Sequence, residues 1–198
     1  MQLGTSVRAW FVLLGLACAL PMLLADKAHA QRQNIDCASS ALPMPAGFSG
    51  ECYSENERGT GNYGCSIINY QIGAVEGQKG PRFFSHLRIA TKGCALMDTN
   101  PLGTLKEHSP LAKLNATNWS DQRKGDGSDV YWTFDRSDQN PIGKCFAYYR
   151  TGPPVAKSKT PGFYYTVVGF FCKPPGQPLD DAAVHSILSS VRVNSRYE

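Results

Sequence analysis

Two segments near the C-terminal end, KCFAYYR at 144–150 and FYYTVVGFFC at 163–172, constrain the fold more than any other feature of the chain. Both are rich in aromatic and β-branched side chains, the types that fit a pleated surface. The connection between them carries Pro153, Pro154 and Pro161. Two consecutive strands joined in this way pair antiparallel most simply. A register that sets Arg150 opposite Val167 also sets Cys145 opposite Cys172. Directly opposed residues on antiparallel strands lie about 4.5–5.5 Å apart at Cα, within reach of a disulfide. Hydrophobic alternation and cysteine placement therefore agree on one hairpin, bridged by Cys145–Cys172. The second segment carries large apolar residues at odd and even positions alike, so it is expected to be central and covered on both faces. After a Pro-Gly hinge, Leu179, Ala183, Val184, Ile187, Leu188 and Val191 recur at three- and four-residue spacing. That is the stripe of a helix lying on a sheet. Asp180 and Asp181 favour its N-terminal end as caps and through the helix dipole.

The N-terminal end sets the compartment. Arg8 precedes an apolar run at 9–25, and the small-residue sequence Ala28-His29-Ala30 follows it. The run is interrupted by Gly15 and Pro21 and is shorter than the roughly 20 apolar residues of a membrane span, so 1–30 reads as a cleaved signal peptide. An uncleaved anchor is the rival reading, and the only membrane attachment expected. Cleavage after Ala30 leaves 168 of the 198 residues, the size of one domain with its own core. It removes Arg8, Lys27 and Asp26, so the formal net charge falls from +4 to +3. That is far from the dense Lys/Arg footprint of a nucleic-acid binder. Seven cysteines include Cys18 in the leader. The remaining Cys37, Cys52, Cys65, Cys94, Cys145 and Cys172 are even in number, widely spaced and free of CxxC pairs. Three disulfides in an oxidising, secreted or periplasmic space are expected rather than a zinc site or a redox motif. Sequence proximity suggests Cys37–Cys52 and Cys65–Cys94 beside Cys145–Cys172.

Residues 31–46, with Pro43 and Pro45, read as an extended N-terminal segment leading into a single domain at 47–198. Strands are expected at 48–53, 65–72, 82–91 and 129–135, with a further candidate at 94–97. Polar, turn-rich stretches fall at 54–64 and 77–81. Leu102, Leu105, Leu111 and Leu114 suit short helical turns, with Ser109 as an N-cap before Pro110. The fold class is α+β: a twisted, mainly antiparallel sheet of about five to seven strands, covered on one face by the C-terminal helix and pinned by disulfides. A β-sandwich with an incidental helix is the alternative.

Catalytic motifs are absent. Gly59 to Gly64 match GxGxxG, but no strand precedes the glycines and no helix follows to hold a pyrophosphate. His86, His108 and His185 lie in no HExxH, and no serine lies in GxSxG. Asp121, Asp126 and Asp129 lack the spacing of a calcium loop. No metal or cofactor is expected. Asn115-Ala-Thr117 and Asn118-Trp-Ser120 are glycan acceptors only in a host that glycosylates asparagine. His108 reads as part of a surface connection, and most of Tyr131, Trp132, Tyr148, Tyr149, Tyr164 and Tyr165 as core or cross-strand pairs, an outward-facing Tyr/Trp cluster being a platform for sugar or peptide.

The most suggestive constellation is RFFSHLRIATK at 82–92. Side chains alternate across a strand, so Phe83, Ser85, Leu87 and Ile89 share one face and Arg82, Phe84, His86, Arg88 and Lys92 the other. Two arginines, a histidine and a lysine around an aromatic ring make a cationic patch for a carboxylate, phosphate or acidic sugar. The same pattern also serves a solvated face that guards a sheet edge. The expected function is an exported, disulfide-bonded binding module engaging an anionic small molecule, a glycan or an envelope protein. The alternative is a small secreted hydrolase using His86 or His185 with spatially assembled partners.

Overall fold

The computed structural model describes residues 32–58, 66–74, 82–91, 94–137, 142–156 and 161–196. The leader, the GxGxxG segment, Cys65, the turn at 77–81 and Lys92 lie outside the described residues.

Strands β1 (Gln33–Ile35), β2 (Glu51–Arg58), β3 (Ser66–Ala74) and β4 (Arg82–Ala90) form an antiparallel meander. The chain then passes through two short helices, α1 (Pro101–Glu107) and α2 (Ser109–Ala112), to the far side of the sheet. There lie the two-residue strands β5 (Ala116–Thr117) and β6 (Arg123–Lys124), both paired with β7 (Val130–Arg136). A second meander follows, β7 to β8 (Gly143–Thr151) to β9 (Tyr165–Cys172), and α3 (Asp181–Ser190) comes last. β9 lands antiparallel on β4, giving the order β1-β2-β3-β4-β9-β8-β7-β5 in one nine-stranded sheet, with β6 beside β7. Nine strands exceed the expected five to seven because β1, β5 and β6 are too short to leave a period-2 pattern in the sequence.

Antiparallel pairing and a single sheet agree with the α+β reading and not with a sandwich. The central hairpin has the expected register: Arg150 faces Val167 and Cys145 faces Cys172, bridged at a Cα separation of 4.1 Å. All eight β9 residues are buried. A second expected disulfide, Cys37–Cys52, is also present. Cys94 is disulfide-bonded too.

The two faces of the sheet bury separate clusters. Phe83, Leu87, Phe146, Tyr148, Val167 and Phe171 belong to one, together with Val184 and Leu188 of α3 and Leu42 of the N-terminal segment. Trp132, Phe134, Ala147, Val168 and Phe170 belong to the other, with Leu105, Leu111 and Leu114 of the α1–α2 region. Burying each such side chain is worth about 1.5–3 kcal/mol. Asp180 caps α3 by accepting from Ala183 N at 2.8 Å. A bidentate pair, Arg150 to Asp129 at 2.5 and 2.7 Å, adds donation from Arg150 to the carbonyls of Leu188 (2.8 Å) and Val191, tying the end of α3 to β8.

Other expectations are corrected locally. The segment 54–64 was expected to turn at once, yet β2 runs on to Arg58, because strand pairing with β3 overrides the low β-propensity of ENER. The N-terminal segment contains β1 and a 3-10 turn at Cys37–Ser39. α2 starts from His108 as N-cap, with no side-chain cap bond, instead of from Ser109. The candidate strand at 94–97 reduces to one bridge, Leu96 to Phe163.

Candidate functional site

The crossover packs α1 and α2 over β7–β9, and among the described residues neither helix covers the same face of β2–β4 in full, where two clefts lie. On β4, Phe83, Ser85, Leu87 and Ile89 are buried, whereas Arg82, Phe84, His86 and Arg88 are half-buried and point to that open face. Antiparallel register aligns them in transverse rows. One row runs Glu55, Asn69, Arg88, Thr166; the next runs Tyr53, Gln71, His86, Val168, Tyr149. Members of a row are about 4.7–4.9 Å apart per strand. The first row, with Glu57, forms the floor of a cleft of about 510 Å³. Leu96, Met97 and Asp98 wall it on one side and Thr104 and His108 on another. A second cleft, of about 580 Å³, lies beyond His108 and contains Arg32, Tyr53, Phe84 and Lys113. Gln71 and His108 line both.

His86 and His108 meet between the clefts. His86 Nδ1 lies 2.9 Å from His108 Nε2, and His86 Nε2 lies 3.1 Å from Asn69 Oδ1. With Asn69 Oδ1 as acceptor, His86 carries its proton on Nε2, and His86 Nδ1 accepts from His108 Nε2–H. Asn69 Nδ2 in turn donates to Glu57 Oε2 at 3.4 Å, and Arg88 lies 3.9 Å from the same oxygen. A polar chain thus runs His108, His86, Asn69, Glu57, Arg88. Burial, then the neighbouring His108 and Arg88, push the His86 pKa down to about 3. Burial and Arg88 lower that of His108 as well. Both shifts favour the neutral rings at pH 7, and the pair stands between the two clefts.

The other distinctive group is Tyr149. It is only 4 % exposed and is one of the residues lining the first cleft, and its hydroxyl is buried with no hydrogen-bond partner among the described residues. Its neighbour Tyr148, on the opposite face of β8, donates to Ser85 Oγ at 2.8 Å. An unsatisfied buried hydroxyl costs about 1–3 kcal/mol, which sets Tyr149 apart from its neighbour. Burial, then the charge of Asp98, raise the Tyr149 pKa to about 12 against the opposing effect of Arg88, which keeps the hydroxyl a donor. Arg88 is available as well. Its pair with Glu57 is long and exposed, side chains 39 % and 53 % accessible, and such pairs contribute about 0–1 kcal/mol.

Of the residues singled out in sequence, His86 and Arg88 line the first cleft and Phe84 the second, where its ring lies 5.1 Å from His108 and 6.0 Å from Phe170. Arg82 shares their face, opposite Cys172, but lines neither of these two clefts. Lys92 lies outside the described residues. His185 sits at the other end of the molecule's sequence and pairs loosely with exposed Asp126 at 3.5 Å. Asn118 of the second sequon donates Nδ2 to Asp135 at 3.1 Å, a bond that a glycan on that nitrogen would disturb. Sequence reasoning missed His108, which it placed on a surface connection; nothing local marks a contact that spans 22 residues. Tyr149, expected in the core, is buried there, but nothing local showed that its hydroxyl goes unpaired among the described residues. Glu55, Glu57 and Asn69 fell where polar residues suggested turns or ordinary strand. Among the described residues no group of three or more His, Cys, Asp or Glu is placed to hold a metal, and no helix is long and apolar enough to cross a membrane.

No protein-family model, curated protein or solved structure matches the chain.

Proposed function

We propose that the protein is an exported, disulfide-bonded binding module that takes the acidic group of a small ligand between Tyr149 and Arg88. The observation that carries this reading is the buried Tyr149 hydroxyl, unpaired among the described residues, on a side chain that lines the cleft within electrostatic reach of Arg88. A hydroxyl donor and a loosely held guanidinium together suit a carboxylate or phosphate. The cleft volume falls in the range of about 300–1,000 Å³ typical of small-ligand sites. Export rests on the leader-like 1–30 and on the disulfides, which persist in oxidising compartments.

Hydrolysis finds less support. A general base needs a nucleophile or water within about 2.6–3.2 Å. Both ring nitrogens of His86 are occupied, by His108 and Asn69, and His108 Nε2 is engaged by His86. Among the described residues neither ring meets a serine, cysteine or carboxylate at hydrogen-bond distance.

Calorimetric titration with acetate, inorganic phosphate and glucuronate tests the reading. At least one should bind the wild-type protein, and binding should weaken tenfold or more in Tyr149→Phe and in Arg88→Gln. Equal binding by the variants, or none by the wild type, removes it. Export is checked on protein recovered from its native envelope: the mass should match a chain starting at Gln31 with its cysteines oxidised.

A further inference from the structure

Among the described residues the cleft holds more acid than base. Glu55 and Glu57 enter from β2 and Asp98 from the facing wall, against Arg88 as the one lysine or arginine among its described lining residues. His86 and His108 are neutral and do not redress the balance. The three carboxylates differ in how occupied they are. Glu57 accepts from Asn69 and pairs with Arg88. Asp98 Oδ1 accepts from Asn100 N at 2.9 Å. Glu55 is half-buried in the cleft and has no hydrogen-bond or ion-pair partner among the described residues. A ligand that is only an anion would gain from Tyr149 and Arg88 and be repelled by the carboxylates around them.

We infer that the ligand is a zwitterion, an amino-carboxylate whose acidic end meets Tyr149 and Arg88 and whose ammonium group meets Glu55 or Asp98. The inference rests on the anion-binding reading above and deepens it. Two polar groups without a partner among the described residues, of opposite hydrogen-bonding sense, support it: the Tyr149 hydroxyl, which is buried and can donate, and the Glu55 carboxylate, which can only accept. They sit at opposite ends of the cleft, on β8 and β2, with Arg88 on β4 between them. The wall adds an apolar surface: Leu96, Val168 and Met97, which is 63 % exposed and the most exposed large hydrophobic residue among those described. An amino acid or short peptide with an aliphatic side chain matches all three features. A free amino acid would pair its ammonium with Asp98, whose charge is felt at Tyr149. A peptide would reach towards Glu55.

The test is calorimetric titration of the whole exported protein with leucine, alanyl-leucine, N-acetyl-alanyl-leucine and alanyl-leucinamide. Leucine or alanyl-leucine should bind at least tenfold more tightly than both blocked forms, and the tighter of the two tells amino acid from peptide. Should alanyl-leucine be preferred, Glu55→Gln should weaken it about tenfold and leave the N-acetyl form unchanged; should leucine be preferred, Asp98→Asn should weaken leucine in the same way. If the N-acetyl form binds as tightly as the free peptide, the zwitterion is wrong and the anion site survives. If the amide binds as tightly as the acid, the anion reading fails and takes this inference with it; if none of these probes binds while acetate, phosphate or glucuronate does, the zwitterion is wrong and the anion site survives. A substitution that weakens blocked and free ligands equally shows a merely structural role and also overturns the assignment.

Discussion

Acid should destabilise this protein through His86. In the folded chain its pKa is pushed from the ordinary 6.5 to about 3 by burial, by His108 and by Arg88. The unfolded chain exposes the ring and binds its proton near 6.5. Below that pH the unfolded state therefore holds more protons than the folded one, so stability is full above pH 6.5 and declines as pH falls towards 3. Each pH unit in that window costs about 1.4 kcal/mol for this proton, so about 3 kcal/mol is lost by pH 4.5. His108, lowered by burial and Arg88, adds in the same direction. For a domain whose total stability is about 5–15 kcal/mol, that is a large fraction. The groups around the pair offer no relief: Arg88 opposes a second positive charge, Asn69 is neutral, and Glu57 reaches His86 only through Asn69. Urea unfolding at a series of pH values from 8 to 4.5, with disulfides intact, measures the slope. Subtracting the slope of His86→Gln removes the contribution of ordinary carboxylates. The difference should correspond to about one proton taken up on unfolding. Equal slopes in the two proteins, or an imidazole resonance of His86 that titrates near 6.5 in the folded state, would refute the reasoning.

Three further substitutions probe what holds the cleft in place. Gly169 faces Ser85 on β4 and Tyr148 on β8, and a Cβ there would press on the Phe84 carbonyl oxygen and the Tyr148 hydroxyl; Gly169→Ala should lower stability by about 1–3 kcal/mol through overpacking, read as a shift in urea midpoint. Asp129→Asn leaves Arg150, whose side chain is 17 % exposed, without its counter-charge, and should lose about 3–5 kcal/mol by the same measurement. Replacing Cys145 and Cys172 together by alanine opens a cross-link between residues 27 apart, with an expected loss of about 3.5 kcal/mol in the chain-entropy picture. A loss under about 1 kcal/mol in any of the three would contradict the corresponding packing, charge or loop argument.

What the sequence disclosed follows from the range of the interactions involved. The β8–β9 hairpin was legible to the residue because its register is set by two segments consecutive in the chain and by a cysteine in each. The side-chain alternation of β4 was legible for the same reason: period 2 is local. The short strands β1, β5 and β6 were not, since two or three residues carry no period and exist only because a longer strand offers its edge. The same holds for the polar end of β2, where pairing with β3 prevails over propensity. The cleft was half legible. His86 and Arg88 stand out as neighbours on one face, but no local pattern signals that the crossover brings His108 onto His86. Nor does one signal that Glu57 and Asn69 complete the chain to Arg88, or that Tyr149 lacks an acceptor among the described residues. Those features depend on strand order, with β9 inserted beside β4, which no single segment encodes.

The claim on which the rest depends is that the cleft beside Tyr149 and Arg88 is occupied in the protein's working state. Native mass spectrometry of protein recovered from its own envelope without denaturant measures this directly, alongside the Tyr149→Phe and Arg88→Gln variants. The wild-type protein should carry an added low-mass species that both variants lose, and heat-released material should contain an amino-carboxylate. A bare mass for all three proteins, unchanged after incubation with envelope extract, or the same adduct on all three, would contradict the account.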